Sequence, residues 1–143
     1  MSRPAENSGS REQSATLPEE EGKKKSILIY SPDLNFCFSL SMLFQDRYAV
    51  STTTNLSMLE TFVANYAVDL IIIDAVPSSR IIERLNMLRE LKVHLPIIML
   101  YVYNAKDVQL DQSIRTHVDS VFYKPFEVGA VSKRIEELLS PRG

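Results

Sequence analysis

The chain has 143 residues, 45% of them hydrophobic and 24% charged, and a formal net charge of −2. That composition fits one globular domain and argues against gripping nucleic acid through bulk cationic charge. The single Cys37 excludes an internal disulfide, and His94 and His117 stand far apart with no thiol near either, which excludes zinc ligation of the usual spacing. Apolar runs of about five residues fall far short of the ~20 that cross a bilayer, and the polar N-terminus lacks the apolar core of a signal peptide, so the chain reads as cytoplasmic.

Residues 1–25 alternate Ser, Glu, Pro, Gly and charge, with Leu17 nearly alone as a large apolar side chain, and are expected to form a disordered polar tail. The folded body is expected over 26–140. Ser26 to Tyr30 is an apolar run without polar alternation, as in a strand buried on both faces. Phe36, Leu40, Leu43 and Phe44 then fall on one helical face. Tyr48 to Thr53 is rich in β-branched residues and predicts a second strand. Asn55 or Ser57 caps the next helix, Ser57 having Glu60 three residues on as a capping box, with Leu59, Phe62, Val63 and Tyr66 as its buried stripe. Leu70-Ile71-Ile72-Ile73 is the strongest strand signal and ends on Asp74. After the breaker Pro77-Ser78-Ser79, Ile81, Leu85, Leu88 and Leu91 form a third stripe, and Pro96 closes it before the strand Ile97 to Tyr101. A weaker helix over about 105–115 carries Val108, Leu110 and Ile114. Val121 to Tyr123 is a short fifth strand, and Val128, Val131, Ile135 and Leu138 mark a final helix.

Five apolar strands alternating with five helices predict a doubly wound α/β domain with a parallel sheet, because right-handed crossovers join parallel neighbours. In such a sheet chemistry belongs at the carboxyl ends of the strands. The residues there are Tyr30, Ser31 and Asp33 after the first strand, Asp74 after the third, Tyr101 after the fourth and Lys124 after the fifth. Of four glycines only Gly129 lies in the folded body, so a glycine-rich phosphate cradle or dinucleotide fingerprint cannot form. No Ser, His and Asp set indicates a hydrolase.

On these residues Lys25 to Leu139 resemble a receiver domain of the two-component response regulators. Leu70 to Asp74 match the third strand ending in the phosphoacceptor aspartate, and Tyr123-Lys124-Pro125-Phe126 match the more specific Lys-Pro-Phe motif. The resemblance implies a flavodoxin-like (βα)5 fold with strand order 2-1-3-4-5, a signalling module rather than an enzyme, and a cis Lys124-Pro125 bond. It assigns Asp74 as the nucleophile toward a phosphohistidine donor and Lys124 as the cation that pairs with the transferred phosphoryl group, with Mg²⁺ screening the approach.

Three parts of the chain depart from that pattern. Ser31 and Pro32 stand where receivers carry two adjacent metal-binding acids, which leaves Asp33 and Asp74 as candidate Mg²⁺ ligands and sets the residues against the metal the resemblance implies. Tyr101 stands at the switch position of a Ser or Thr. The loop Ala75-Val76-Pro77-Ser78 lacks the usual glycine. The expected function is therefore an atypical, stand-alone receiver that binds a partner protein, with phosphorylation at Asp74 weak or absent. A working phosphoacceptor and a small-ligand sensor using Tyr30, Tyr101 and Tyr103 are the alternatives. A histidine kinase, a phosphotransfer protein or a downstream effector is the expected partner. The expected surface lies around the fourth helix, fifth strand and last helix, with Tyr103, Val108 and Leu110 as contacts. No effector domain is expected after Gly143, output is expected through another chain, and a homodimer is left open. The buried face of its helix is the expected place of Cys37.

Overall fold

The computed structural model describes residues 24–141, so the tail expected over 1–25 lies outside the described residues apart from Lys24 and Lys25. Ten elements alternate: β1 (Ser26–Tyr30), α1 (Leu34–Phe44), β2 (Ala49–Thr53), α2 (Leu59–Asn65), β3 (Leu70–Asp74), α3 (Ser79–Leu91), β4 (Ile97–Tyr101), α4 (Val108–Arg115), β5 (Ser120–Tyr123) and α5 (Val128–Leu139). All strand pairs are parallel, in the order β2-β1-β3-β4-β5. Sheet and strand order are those expected from the sequence.

The alternation of side chains along each strand sorts the core into two layers. On one face Ile27, Ile29, Leu70, Ile72, Ile98 and Leu100 pack against Leu40 and Phe44 of α1 and Val131 and Ile135 of α5. On the other, Leu28, Ile71, Ile73, Ile97 and Met99 meet residues of α2, α3 and α4, among them Leu59, Leu85, Leu88 and Ile114. Every residue of β3 and β4 is buried, which is why their sequences carry no polar alternation. The edge strands differ from the expectation of apolar strands throughout. Most of β2 is exposed and β5 is half-buried, since each has a neighbour on one side only.

Several helix faces are also corrected. In α1 the inner residues are Cys37, Leu40 and Phe44, and Leu43 is exposed. Tyr66 is exposed because α2 stops at Asn65 and the backbone turns extended, while Leu91 and Val128 sit exposed at helix ends. The turn before α2 starts at Asn55, whose side chain accepts from the Ser57 backbone N–H. The Ser57–Glu60 box does not form; Glu60 instead pairs with Arg84 of α3 at 2.8 Å. The fourth helix begins as a single 3₁₀ turn, Ala105–Asp107.

The corrected faces make a stability prediction. Ile72→Ala removes a fully buried side chain and should cost about 2–5 kcal/mol, whereas Leu91→Ala should stay within about 0.5 kcal/mol of wild type. Urea unfolding monitored by circular dichroism checks both.

Candidate functional site

The parallel register sets Tyr30 beside Ile73, Asp74 beside Leu100 and Tyr101 beside Tyr123, so the chain turns that follow these strands meet at one sheet edge. Asp74 is buried there, and both of its oxygens are bonded within the chain. Lys124 Nζ lies 2.6 Å from Oδ1, and the Ser31 hydroxyl donates to Oδ2 at 2.7 Å. Ser31 is itself fully buried, and its Oγ also accepts from the Asp33 backbone N–H at 3.0 Å. The Lys124 ammonium stands 4.7 Å from the centre of the Phe36 ring, a cation–π contact, and Phe36 meets Phe126 edge-on at 6.4 Å. Lys124-Pro125 is cis.

Asp33 is not drawn to Asp74. It is the N-cap of α1, and its Oδ1 accepts from the backbone N–H groups of Asn35 at 2.9 Å and Phe36 at 3.4 Å. Among the described residues no group of three or more His, Cys, Asp or Glu side chains could hold a metal ion. The donor set at Asp74 does not fit Mg²⁺. It offers one carboxylate with an ammonium on one oxygen, plus a neutral hydroxyl, where a hard dication needs several oxygen ligands with uncompensated negative charge.

Tyr101 is buried and points toward α4, where its hydroxyl donates to Asp111 Oδ1 at 2.6 Å. The Tyr123 hydroxyl donates to the same oxygen at 2.8 Å, and Arg115 reaches both Asp111 Oδ2, at 3.4 Å, and the Tyr123 hydroxyl, at 2.7 Å. The Tyr101 and Tyr123 rings meet edge-on at 5.7 Å, and Tyr103 covers Tyr123 at 5.1 Å. Burial, and then the bond to Asp111, pushes the Tyr101 phenol well above its ordinary pKa. Burial pushes Asp111 the other way from its bonds, but the hydroxyls of Tyr101 and Tyr123 and the charge of Arg115 outweigh it and hold the carboxyl below its usual value. Tyr30 is raised by burial and then by the charge of Asp74.

Between the β3–α3 and β4–α4 connections lies an open cleft of about 420 Å³, floored by Asp74, Tyr101 and Lys124 and walled by Pro77, Tyr103 and Asn104. Of the residues singled out in sequence, Asp74, Lys124, Tyr101 and Tyr103 converge here, while Asp33 and Tyr30 do not line the cleft. Val108 is exposed and Leu110 half-buried. Ser31 and Asp111 were missed as bonding residues. Asp111 lies three residues after Val108 and three before Ile114, on the inner face of its helix, and an acid there is the signal for a buried partner.

No protein-family model and no curated protein matches the chain. Solved structures do. The receiver domain of a two-component response regulator from Bacteroides fragilis superposes with a TM-score of 0.72 at 15% identity, covering 84% of this chain and all of that one (100%). The chain has the receiver fold. A two-component response regulator from Clostridium difficile gives a TM-score of 0.69 at 18% identity over 81% of this chain and 96% of its own. A structure described as an adenylate cyclase from Rhodopirellula baltica gives 0.70 at 14% over 81% and 87%. On this receiver fold Asp74 and Lys124 stand at the carboxyl edge, and Tyr101 ends β4. No helix among the described residues is long and apolar enough to cross a membrane.

Two results are expected from the tyrosine–aspartate network. Tyr101→Phe removes a buried hydrogen bond to a charged acceptor and should cost about 1.5–3 kcal/mol in urea unfolding at neutral pH. Because the folded state holds the Tyr101 proton more tightly than the unfolded chain, stability should fall as pH rises above about 10, the unfolded tyrosine value. The same unfolding series at alkaline pH should show a shallower fall in Tyr101→Phe.

Proposed function

We propose that this chain is a signalling module of the receiver type that acts by binding another protein, with phosphorylation of Asp74 weak or absent. The observation that carries this reading is the closed bonding of Asp74, one oxygen on Lys124 and the other on the Ser31 hydroxyl. A phosphoacceptor carboxylate attacks phosphorus through an oxygen while cations neutralise the approaching anion. Among the described residues Lys124 is the one cationic residue lining the cleft, against Asp74, Asp107 and Asp111, so an incoming phosphoryl group meets more negative than positive charge there. Tyr101 is held by Asp111, which leaves the end of β4 without a short hydroxyl for a phosphoryl oxygen.

Both features favour a surface of fixed shape over one switched by phosphate. The face built from α4, β5 and α5 is the proposed contact for a histidine kinase, a phosphotransfer protein or a downstream effector. Tyr103 and Val108 are exposed on it, and Leu110 is half-buried. A second reading, a small-ligand sensor, is favoured by one observation. The cleft volume of about 420 Å³ lies within the roughly 300–1,000 Å³ range of small-molecule sites, and two tyrosines line it.

Intact-mass analysis after incubation with acetyl phosphate and Mg²⁺ tests the leading reading. The wild type should gain no phosphoryl group, and its melting temperature should not respond to Mg²⁺. The double variant Ser31→Asp with Pro32→Asp, which supplies two acids beside Asp74, should be stabilised by Mg²⁺. A phosphoryl adduct on the wild type that disappears in Asp74→Asn would replace this reading with the phosphoacceptor one, and a small molecule retained through purification would favour the sensor.

A further inference from the structure

The cleft of about 420 Å³ has apolar side chains on both of its sides. Val76, after β3, is 80% exposed, and Val102 and Tyr103, after β4, are 67% and 43% exposed. Exposed apolar side chains gathered round one concavity, rather than scattered singly, mark a binding site.

Most of the charge in the cleft is satisfied by the chain itself. Asp74 is bonded by Lys124 and Ser31. Asp111 is bonded by Tyr101, Tyr123 and Arg115. Asp107 is different. It immediately precedes α4, yet its side chain makes no bond to the backbone N–H groups of the helix, as a capping aspartate does. Among the described residues its one side-chain partner is the neutral amide of Asn104, which donates to Oδ2 at 3.3 Å. Lys106, its neighbour in sequence, does not line the cleft. The wall that carries Tyr103 therefore presents a carboxylate that no cation among the described residues pairs with.

Resting on the small-ligand reading of the cleft, we infer that its ligand is a small organic cation: an ammonium or guanidinium group carried on an apolar body. The body packs against Val76, Pro77 and Val102, and the cation is held by the Asp107 carboxylate and the π-system of Tyr103. An anion of the same shape meets three aspartates against Lys124 alone, and a neutral analogue gains nothing from the charge of Asp107.

Three probes that share a phenyl ring and a two-carbon arm test this: 2-phenylethylammonium, the neutral 2-phenylethanol and the anion 3-phenylpropionate. Each is titrated into the full chain to millimolar concentration and followed by amide NMR. The ammonium should give saturable shifts at Val76, Tyr103 and Asp107, with an affinity about tenfold that of the alcohol, the scale of one exposed ion pair and one cation–π contact together. The carboxylate should bind weakest. Asp107→Asn keeps the size and removes the charge, and should cut the preference for the ammonium at least about threefold while leaving the alcohol unchanged. Circular dichroism verifies that this variant folds. Equal affinities, a preference for the alcohol or the carboxylate, or an ammonium preference indifferent to Asp107→Asn overturns the inference while the small-ligand reading stands. No saturable shift from any of the three overturns both.

Discussion

A carboxylate at the end of a buried central strand must be compensated where it stands, and in this molecule Lys124 and Ser31 do so for Asp74. Burying an ionised group without partners is costly enough that the surrounding chain is constrained by it. The ammonium comes from the turn after β5 and the hydroxyl from the turn after β1. The pair of contacts thus links β1, β3 and β5, which register places at one edge. Phe36 and Phe126 support the lysine from the α1 side. The same contacts that hold the edge together are the ones from which the proposed function takes weak or absent phosphorylation of Asp74.

A second constraint acts at the end of β4. A tyrosine there lines the cleft, and its hydroxyl, too polar to be buried alone, finds Asp111. That bond recruits Tyr123 and Arg115, so β4, β5 and α4 share one hydrogen-bonded cluster. Under the proposed function, which puts the contact surface at α4, β5 and α5, this cluster fixes the shape of that surface from within. Asp111 is low in pKa and Tyr101 high, so both keep their bonding forms across the neutral range.

The parallel sheet was legible in the continuous apolar runs, the strand order followed from the resemblance carried by Leu70 to Asp74 and the Lys-Pro-Phe segment, and the burial of Cys37 was expected. The inner face of α1 was not legible. The helix has only Asn35, Ser39 and Ser41 as polar residues, so periodicity gave little contrast, and Leu43 was placed inside although it is exposed. Ser31 was read as a lost metal ligand, since its bond to Asp74 spans 43 residues and exists only once β1 and β3 pair. Asp111 was hidden by the weak pattern of its helix. The acid that weakened the pattern was itself the signal, but its partners lie on β4 and β5 and no local rule names them. Asp33, an acid near the site in sequence, serves in space as the N-cap of α1.

The account rests on Asp74 being closed to phosphoryl chemistry. Amide NMR of the full chain, titrated first with Mg²⁺ and then with beryllofluoride, tests this most directly through the signals near Asp74, Tyr101 and Lys124. The account predicts that these signals do not move at millimolar Mg²⁺ or after beryllofluoride. Saturable shifts at those residues, abolished by Asp74→Asn, would contradict it.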